Sequence, residues 1–81
     1  MFERVLEQDW IYDYLMQRNL VKQYLKAKKY LLLWNLNQIS FKLRKPKQDK
    51  IYYFKINEQY RALCYIDWKD IKIFKIDNHQ N

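Results

Sequence analysis

Ile51-Tyr52-Tyr53-Phe54-Lys55-Ile56, Tyr60-Arg61-Ala62-Leu63-Cys64-Tyr65-Ile66 and Ile71-Lys72-Ile73-Phe74-Lys75-Ile76 follow one another with only short polar breaks between them. All three are rich in aromatic and β-branched residues, the composition of strands on a pleated, half-buried surface. Asn57-Glu58-Gln59 and Asp67-Trp68-Lys69-Asp70 separate them. Connections this short favour antiparallel hairpins, because a parallel crossover needs a dozen residues or more. Upstream, Ile39-Ser40-Phe41-Lys42-Leu43-Arg44 alternates with period two, placing Ile39, Phe41 and Leu43 on one face and Lys42 and Arg44 on the other. Lys45-Pro46-Lys47-Gln48-Asp49-Lys50 reads as a basic loop, since Pro46 cannot sit inside a sheet.

Before residue 39 the period lengthens. Phe2, Val5, Leu6, Trp10, Ile11, Tyr14 and Leu15 recur at three- and four-residue spacing, which predicts an amphipathic helix from about Asp9, with Asp9 as its N-cap. Arg18-Asn19 is a break, with Asn taking the left-handed turn where glycine is usual. A second helix is expected over 20–33, with Leu20, Val21, Tyr24, Leu25, Leu31 and Leu32 inward and Lys22, Lys26 and Lys29 outward; Asn35 or Asn37 would end it. The expected fold is a single α+β domain over 1–81, an N-terminal helical hairpin packed on a C-terminal antiparallel sheet of about four strands in two layers.

Composition narrows the chemistry. Glycine is absent, which excludes the glycine-rich phosphate loops of nucleotide-binding enzymes. One cysteine excludes an internal disulfide and a cysteine-cluster zinc site, and one histidine excludes two-histidine mechanisms and zinc motifs. No metal or other cofactor is implied. Sixteen Lys and Arg against nine Asp and Glu give a net charge of +7, which favours an acidic partner such as nucleic acid or an acidic protein. No apolar run approaches 18 residues, no signal peptide is expected at the start, and the lone cysteine suits a reducing compartment, so the expected location is cytoplasmic with no membrane partner.

Several residues are candidates for function. Lys42, Arg44, Lys45, Lys47 and Lys50 crowd one strand and its loop, where they would track phosphates or simply be solvated. Arg61 sits inside a strand, where a charge needs a partner or an open cleft; it suits bidentate grip of a phosphate or a structural ion pair. His79 is the natural proton-transfer group near neutral pH, with Asp77 beside it in sequence to orient it. Tyr53 and Tyr65 could stack on bases. Cys64 reads as a small core residue.

Phe54-Lys55-Ile56-Asn57-Glu58-Gln59-Tyr60-Arg61-Ala62 resembles the R-I-N-x-Q-[YW]-R signature of bacterial RelE/ParE-superfamily toxins, and Ile76-Asp77-Asn78-His79-Gln80 resembles the terminal hydrophobic-Asp-Tyr-His of their HigB/RelE-like branch. The basic Phe41-Lys42-Leu43-Arg44 and Pro46-Lys47 suit short members of the family, and the likeness extends over about residues 20 to 80. The resemblance implies a curved sheet and the toxin of a type II toxin–antitoxin module. It implies an endoribonuclease that cleaves mRNA, typically on the ribosome, without a metal, and so inhibits translation. It implies an acidic antitoxin as partner. Carried onto this chain, Arg61 would hold the phosphate, His79 transfer protons, Asp77 orient His79 and Lys55 add charge. Lys42, Arg44, Lys45, Lys47 and Tyr53 would hold the RNA.

Two positions depart from the pattern. Lys55 replaces the first signature Arg, keeping charge without bidentate geometry, and Asn78 replaces the terminal Tyr. A strand ahead of the helices, usual in the family, is hard to find before residue 9: residues 2–6 supply it or the chain is trimmed, and residues 1–8 fit a strand or a helix. The alternatives are a ParE-like gyrase-inhibiting toxin, which needs no catalytic histidine, a catalytically decayed relative that binds nucleic acid or protein, and a small structural subunit that dimerises through its aromatics.

Overall fold

The computed structural model describes residues 1–78, so His79 and the two residues after it lie outside the described part of the chain. The elements are β1 (Arg4–Glu7), α1 (Ile11–Gln17), α2 (Val21–Leu32), β2 (Lys42–Leu43), β3 (Ile51–Lys55), β4 (Tyr60–Asp67) and β5 (Asp70–Asn78), with 3₁₀ turns at Leu36–Ile39 and Lys47–Asp49. The α+β class is as expected. The sheet differs: it has five strands in the order β1-β5-β4-β3-β2 and is mixed, not purely antiparallel.

The added strand is β1. It pairs parallel to β5, Arg4 opposite Asp70 through Glu7 opposite Ile73. Backbone bonds from Glu3 N–H to the Lys69 carbonyl (2.8 Å) and from Gln8 N–H to the Ile73 carbonyl (3.2 Å) extend the pairing. Arg4 locks the register by a two-bond fork on Asp70, Nε to Oδ1 at 3.1 Å and a terminal nitrogen to Oδ2 at 2.6 Å. The helical reading of residues 2–6 therefore fails, and the chain runs strand, helices, sheet.

Both helices stop in the same way. After α1, Asn19 takes φ 57°, its N–H donates to the Met16 carbonyl, and the Leu20 N–H donates to the Leu15 carbonyl at 2.8 Å. Leu15 and Leu20 are both buried, giving the apolar contact that accompanies this left-handed stop. After α2 the left-handed residue is Trp34 (φ 62°), not Asn35 or Asn37; the Asn35 N–H donates to the Tyr30 carbonyl. The Trp34 ring packs 5.0 Å from Phe2, a contact that favours Trp at a position asparagine would fill with less strain. Asp9 is not the N-cap of α1: Trp10 holds that position without a side-chain bond.

The core lies between the helices and one sheet face. Ile11, Leu15, Tyr24, Ala27 and Leu31 from the helices meet Val5, Phe54, Ala62, Cys64, Ile71, Ile73 and Ile76 from the strands. Cys64 is fully buried, and burial pushes its thiol up to about 12. Leu25, expected inside, is 47% exposed because it stands one residue, about 100° of helix, beyond Tyr24. The expected strand over 39–44 shrinks to Lys42–Leu43, since Leu36–Ile39 turns and Ser40 is left-handed. Tyr24 reaches past the core to Glu7, whose Oε2 accepts from the Tyr24 hydroxyl (2.6 Å), Lys28 Nζ (2.9 Å) and the Tyr12 hydroxyl (3.3 Å).

Candidate nucleic-acid interface

The sheet face away from the helices carries the sequence candidates. Residues paired across strands share a face, so the register lays them out in rows. One row runs Asp77, Arg61, Lys55 across β5, β4 and β3. The next runs Lys75, Leu63, Tyr53, Lys42 across β5, β4, β3 and β2. Arg61 stands on the central strand of the five.

Its setting explains how a strand-interior charge is tolerated. The guanidinium carbon lies 4.6 Å from the centre of the Tyr53 ring, and a terminal nitrogen lies 3.6 Å from Oδ2 of Asp77. Both partners are half-buried, at 23% and 35% side-chain exposure, so the pair is screened less than a surface pair. The cation–π contact is worth about 1 kcal/mol. Leu63, between Ala62 and Cys64 on β4, is buried on this open face and forms its apolar floor.

Lys55 stands in the Arg61 row, Lys75 and Lys42 stand in the next row, and Lys72 lies farther along β5 opposite Tyr65. Lys55 Nζ lies 3.4 Å from Glu58, an acid whose side chain is 93% exposed at the β3–β4 turn. Lys72 pairs with Asp67 at 2.9 Å. Among the described residues, Lys42 and Lys75 form no ion pair, so their charge faces solvent. Asn57 shapes the turn beside Lys55: its Oδ1 accepts the N–H groups of Gln59 and Tyr60, both at 2.8 Å.

The remaining candidates fall apart from this centre. Arg44, Lys45 and Lys47 follow β2, at the end of β3 that starts with Ile51, and Arg44 N–H donates to the Ile51 carbonyl. Four residues of strand, about 13 Å, separate that end from the Arg61 row. They lie along a path from the centre, not in it. His79, and any bond it makes to Asp77, lies outside the described residues.

No protein-family model matches the chain, and no curated protein matches it. The functional reading therefore rests on the site and on the signature residues. Among the described residues, no group of three or more His, Cys, Asp or Glu side chains is placed to hold a metal ion, and no helix is long and apolar enough to cross a membrane.

Lys75 was missed by sequence reasoning. In a regular strand, Lys75 would share a face with Ile71 and Ile73, towards the core. The β4–β5 register shifts at Leu63/Cys64: Leu63 pairs with Lys75 but Cys64 pairs with Ile73, leaving Phe74 as an extra residue. The bulge flips the parity of β5. Core residues then fall at Ile71, Ile73 and Ile76, and Lys75 joins Asp77 on the open face. The odd isoleucine spacing was the available signal.

Proposed function

We propose that this protein is a cytoplasmic endoribonuclease of the toxin–antitoxin type, acting on mRNA at the open sheet face. The observation that carries the proposal is Arg61: a half-buried cation on the central strand, against the Tyr53 ring, braced by Asp77, with Lys55 in its row and Lys42 and Lys75 in the next row of the same face. A cationic face with an aromatic side chain suits single-stranded RNA, whose phosphates need charge and whose bases need π-surfaces. The Lys55–Arg61 signature supports the RelE/HigB-like reading, as does β1, a strand ahead of the helices of the kind the resemblance anticipates.

The reaction is attack of a ribose 2′-oxygen on the adjacent phosphorus. The 2′-hydroxyl gives its proton to a base, the bond to the 5′-oxygen breaks, and that oxygen takes a proton. The products are a cyclic phosphate and a 5′-hydroxyl. Negative charge grows on the non-bridging oxygens, where Arg61 offers two parallel donors and Lys55 a further charge. Contact with the Tyr53 ring helps hold the guanidinium in place, so less reorganisation is needed as charge develops. Asp77 acts as a positioning residue for Arg61. Proton transfer is assigned to His79 from its chemistry alone. An acidic antitoxin would cover the same cationic face, and the net charge of +7 speeds such an encounter.

The test is primer extension on mRNA in a translating extract, with wild type and Arg61→Ala side by side. Codon-registered breaks from wild type alone are expected. Equal breaks from both proteins overturn the role of Arg61. Breaks from neither overturn the ribonuclease, and gyrase-dependent DNA damage would then point to the ParE-like alternative.

A further inference from the structure

On the helix side of the sheet, at the end of β3 where the Arg61 row stops at Lys55, α2, the 3₁₀ turn Leu36–Ile39 and the β3–β4 turn enclose a groove of about 330 Å³. Its floor is apolar, from the buried Ala27, Ile39 and Ile56. Its walls are polar: Gln23, Asn57, Lys55 and Glu58 bond to one another in pairs, while Lys26, Tyr30 and Gln38 do not. The orientation of Gln23 is fixed. Asn57 must present its oxygen to the backbone N–H groups of Gln59 and Tyr60, so its nitrogen donates to Gln23 Oε1 at 2.9 Å. The Gln23 side-chain nitrogen is thereby aimed without a protein acceptor among the described residues. Gln38 and Tyr30, which also line the groove, likewise make no side-chain hydrogen bond among those residues, and Lys26 there forms no ion pair.

We propose that this groove binds one base of a single-stranded RNA, with Lys26 and Lys55 holding its phosphate. Size fits: the volume lies at the low end of small-ligand sites, about 300–1,000 Å³. Chemistry fits as well. Side-chain amides pair bidentately with the edges of bases, a tyrosine ring offers a stacking face, and cations flank the pocket. Continuity gives the occupant. Lys55, at the end of β3, lines the groove and is also the cross-strand partner of Arg61, so a strand with one phosphate on the open face at Arg61 reaches the groove by turning round the end of β3 to the helix side. The inference rests on the RNA reading above, and adds that the protein selects a base at this position through Gln23 and Gln38. The acidic Glu58 at the rim is neutralised by Lys55, which it releases when phosphate binds.

The experiment is a ¹⁵N–¹H NMR titration of the whole protein with each of the four ribonucleoside 5′-monophosphates, and with inorganic phosphate alone. Saturable shifts are expected at the amides of Ala27, Ile39 and Ile56, with one base preferred about tenfold. Gln38→Leu should level that preference while the spectrum keeps the dispersion of the folded protein away from the groove. No saturable shift in the groove with any nucleotide, or the same shifts from phosphate alone, overturns the inference. So does a preference unmoved by both Gln38→Leu and Gln23→Leu. Groove binding without mRNA cleavage would sink only the ribonuclease; cleavage without groove binding would sink only this site.

Discussion

The Arg61 guanidinium lies against the face of the Tyr53 ring, its central carbon 4.6 Å from the ring centre. Stacking uses the flatness of arginine, which lysine lacks. Arg61→Lys therefore keeps the charge and loses the fork. Its RNA affinity should stay within a few-fold of wild type, while single-turnover cleavage falls by about 100-fold, the effect of losing one donor to a developing oxyanion. Tyr53→Leu, which removes the stacking face and keeps the donors, should fall between. Equal cleavage by Arg61→Lys and wild type would refute the bidentate assignment.

The two rows around Arg61 also predict a salt dependence. Each cation that neutralises a phosphate of a single strand contributes about 0.7 to the slope of log affinity against log salt. Lys42→Gln and Lys75→Gln should each reduce the slope by about that amount. Lys22→Gln, on the exposed side of α2, should leave it unchanged. Fluorescence anisotropy across a salt series checks this; a Lys75 variant with the wild-type slope would show that the bulge does not bring Lys75 to RNA.

These residues show what the sequence could and could not disclose. The hairpins of β3, β4 and β5 were legible because strand period and turn composition are local. Arg61, Tyr53 and Lys42 were found as candidates, since a charge or an aromatic beside a core strand stands out. Their assembly into adjacent rows depends on register, which pattern alone left open. β1 was legible only as one of two readings: four residues fit either period, and the strand they pair with lies more than sixty residues downstream. Lys75 was hidden by a bulge that no local turn residue marks. The groove was hidden too, because Gln23, Gln38 and Asn57 meet only through tertiary packing.

A chain without glycine must place other residues where φ is positive. Asn19 does this readily; Trp68, at φ 58° in the β4–β5 hairpin, does not. Its ring is 85% exposed, so little packing offsets the strain. Trp68→Asn should stabilise the protein by about 0.5–1 kcal/mol, raising Tm by roughly 2–8 °C for a domain of this size. Unchanged or lower Tm would mean that the contact between Lys69 and the Trp68 ring, at 5.4 Å, outweighs the backbone cost.

Cys64 gives a test of the core. Its burial and its thiol pushed up to about 12 leave almost no thiolate at neutral pH. A thiol reagent should label the native protein no faster than the protein opens, and label it at once in concentrated guanidinium. Fast native labelling would contradict the packing of β4 against the helices.

The Glu7 cluster sets the alkaline limit of stability. Burial pushes the Tyr24 hydroxyl well above its ordinary value, and the bond to Glu7 adds to this. Tyr12 is raised by burial and by the Glu7 charge. Burial pulls Lys28 down, but the bond and charge of Glu7 outweigh it, so its pKa is raised as well. All three groups bind protons more tightly in the folded state. Their contribution is fully present below the unfolded values, about 10 for tyrosine and lysine, and is lost as pH rises through the higher folded values. Urea midpoints should therefore hold steady to about pH 10 and then drop. Tyr24→Phe should cost about 1–2 kcal/mol at pH 7, since Glu7 loses a buried donor. Above pH 10 the gap between this variant and wild type should shrink, because only the wild type ionises a tyrosine at this position on unfolding. At the acid end, the sign reverses for Asp70. The hydrogen bond from Arg4 holds its carboxyl below the ordinary value, so its contribution is present above about pH 4 and lost as pH falls through the lower folded value. Arg4→Gln should flatten that acid arm and leave the alkaline arm intact. A gap between Tyr24→Phe and wild type that stays constant from pH 7 to above 10 would show that Tyr24 is not held protonated against Glu7.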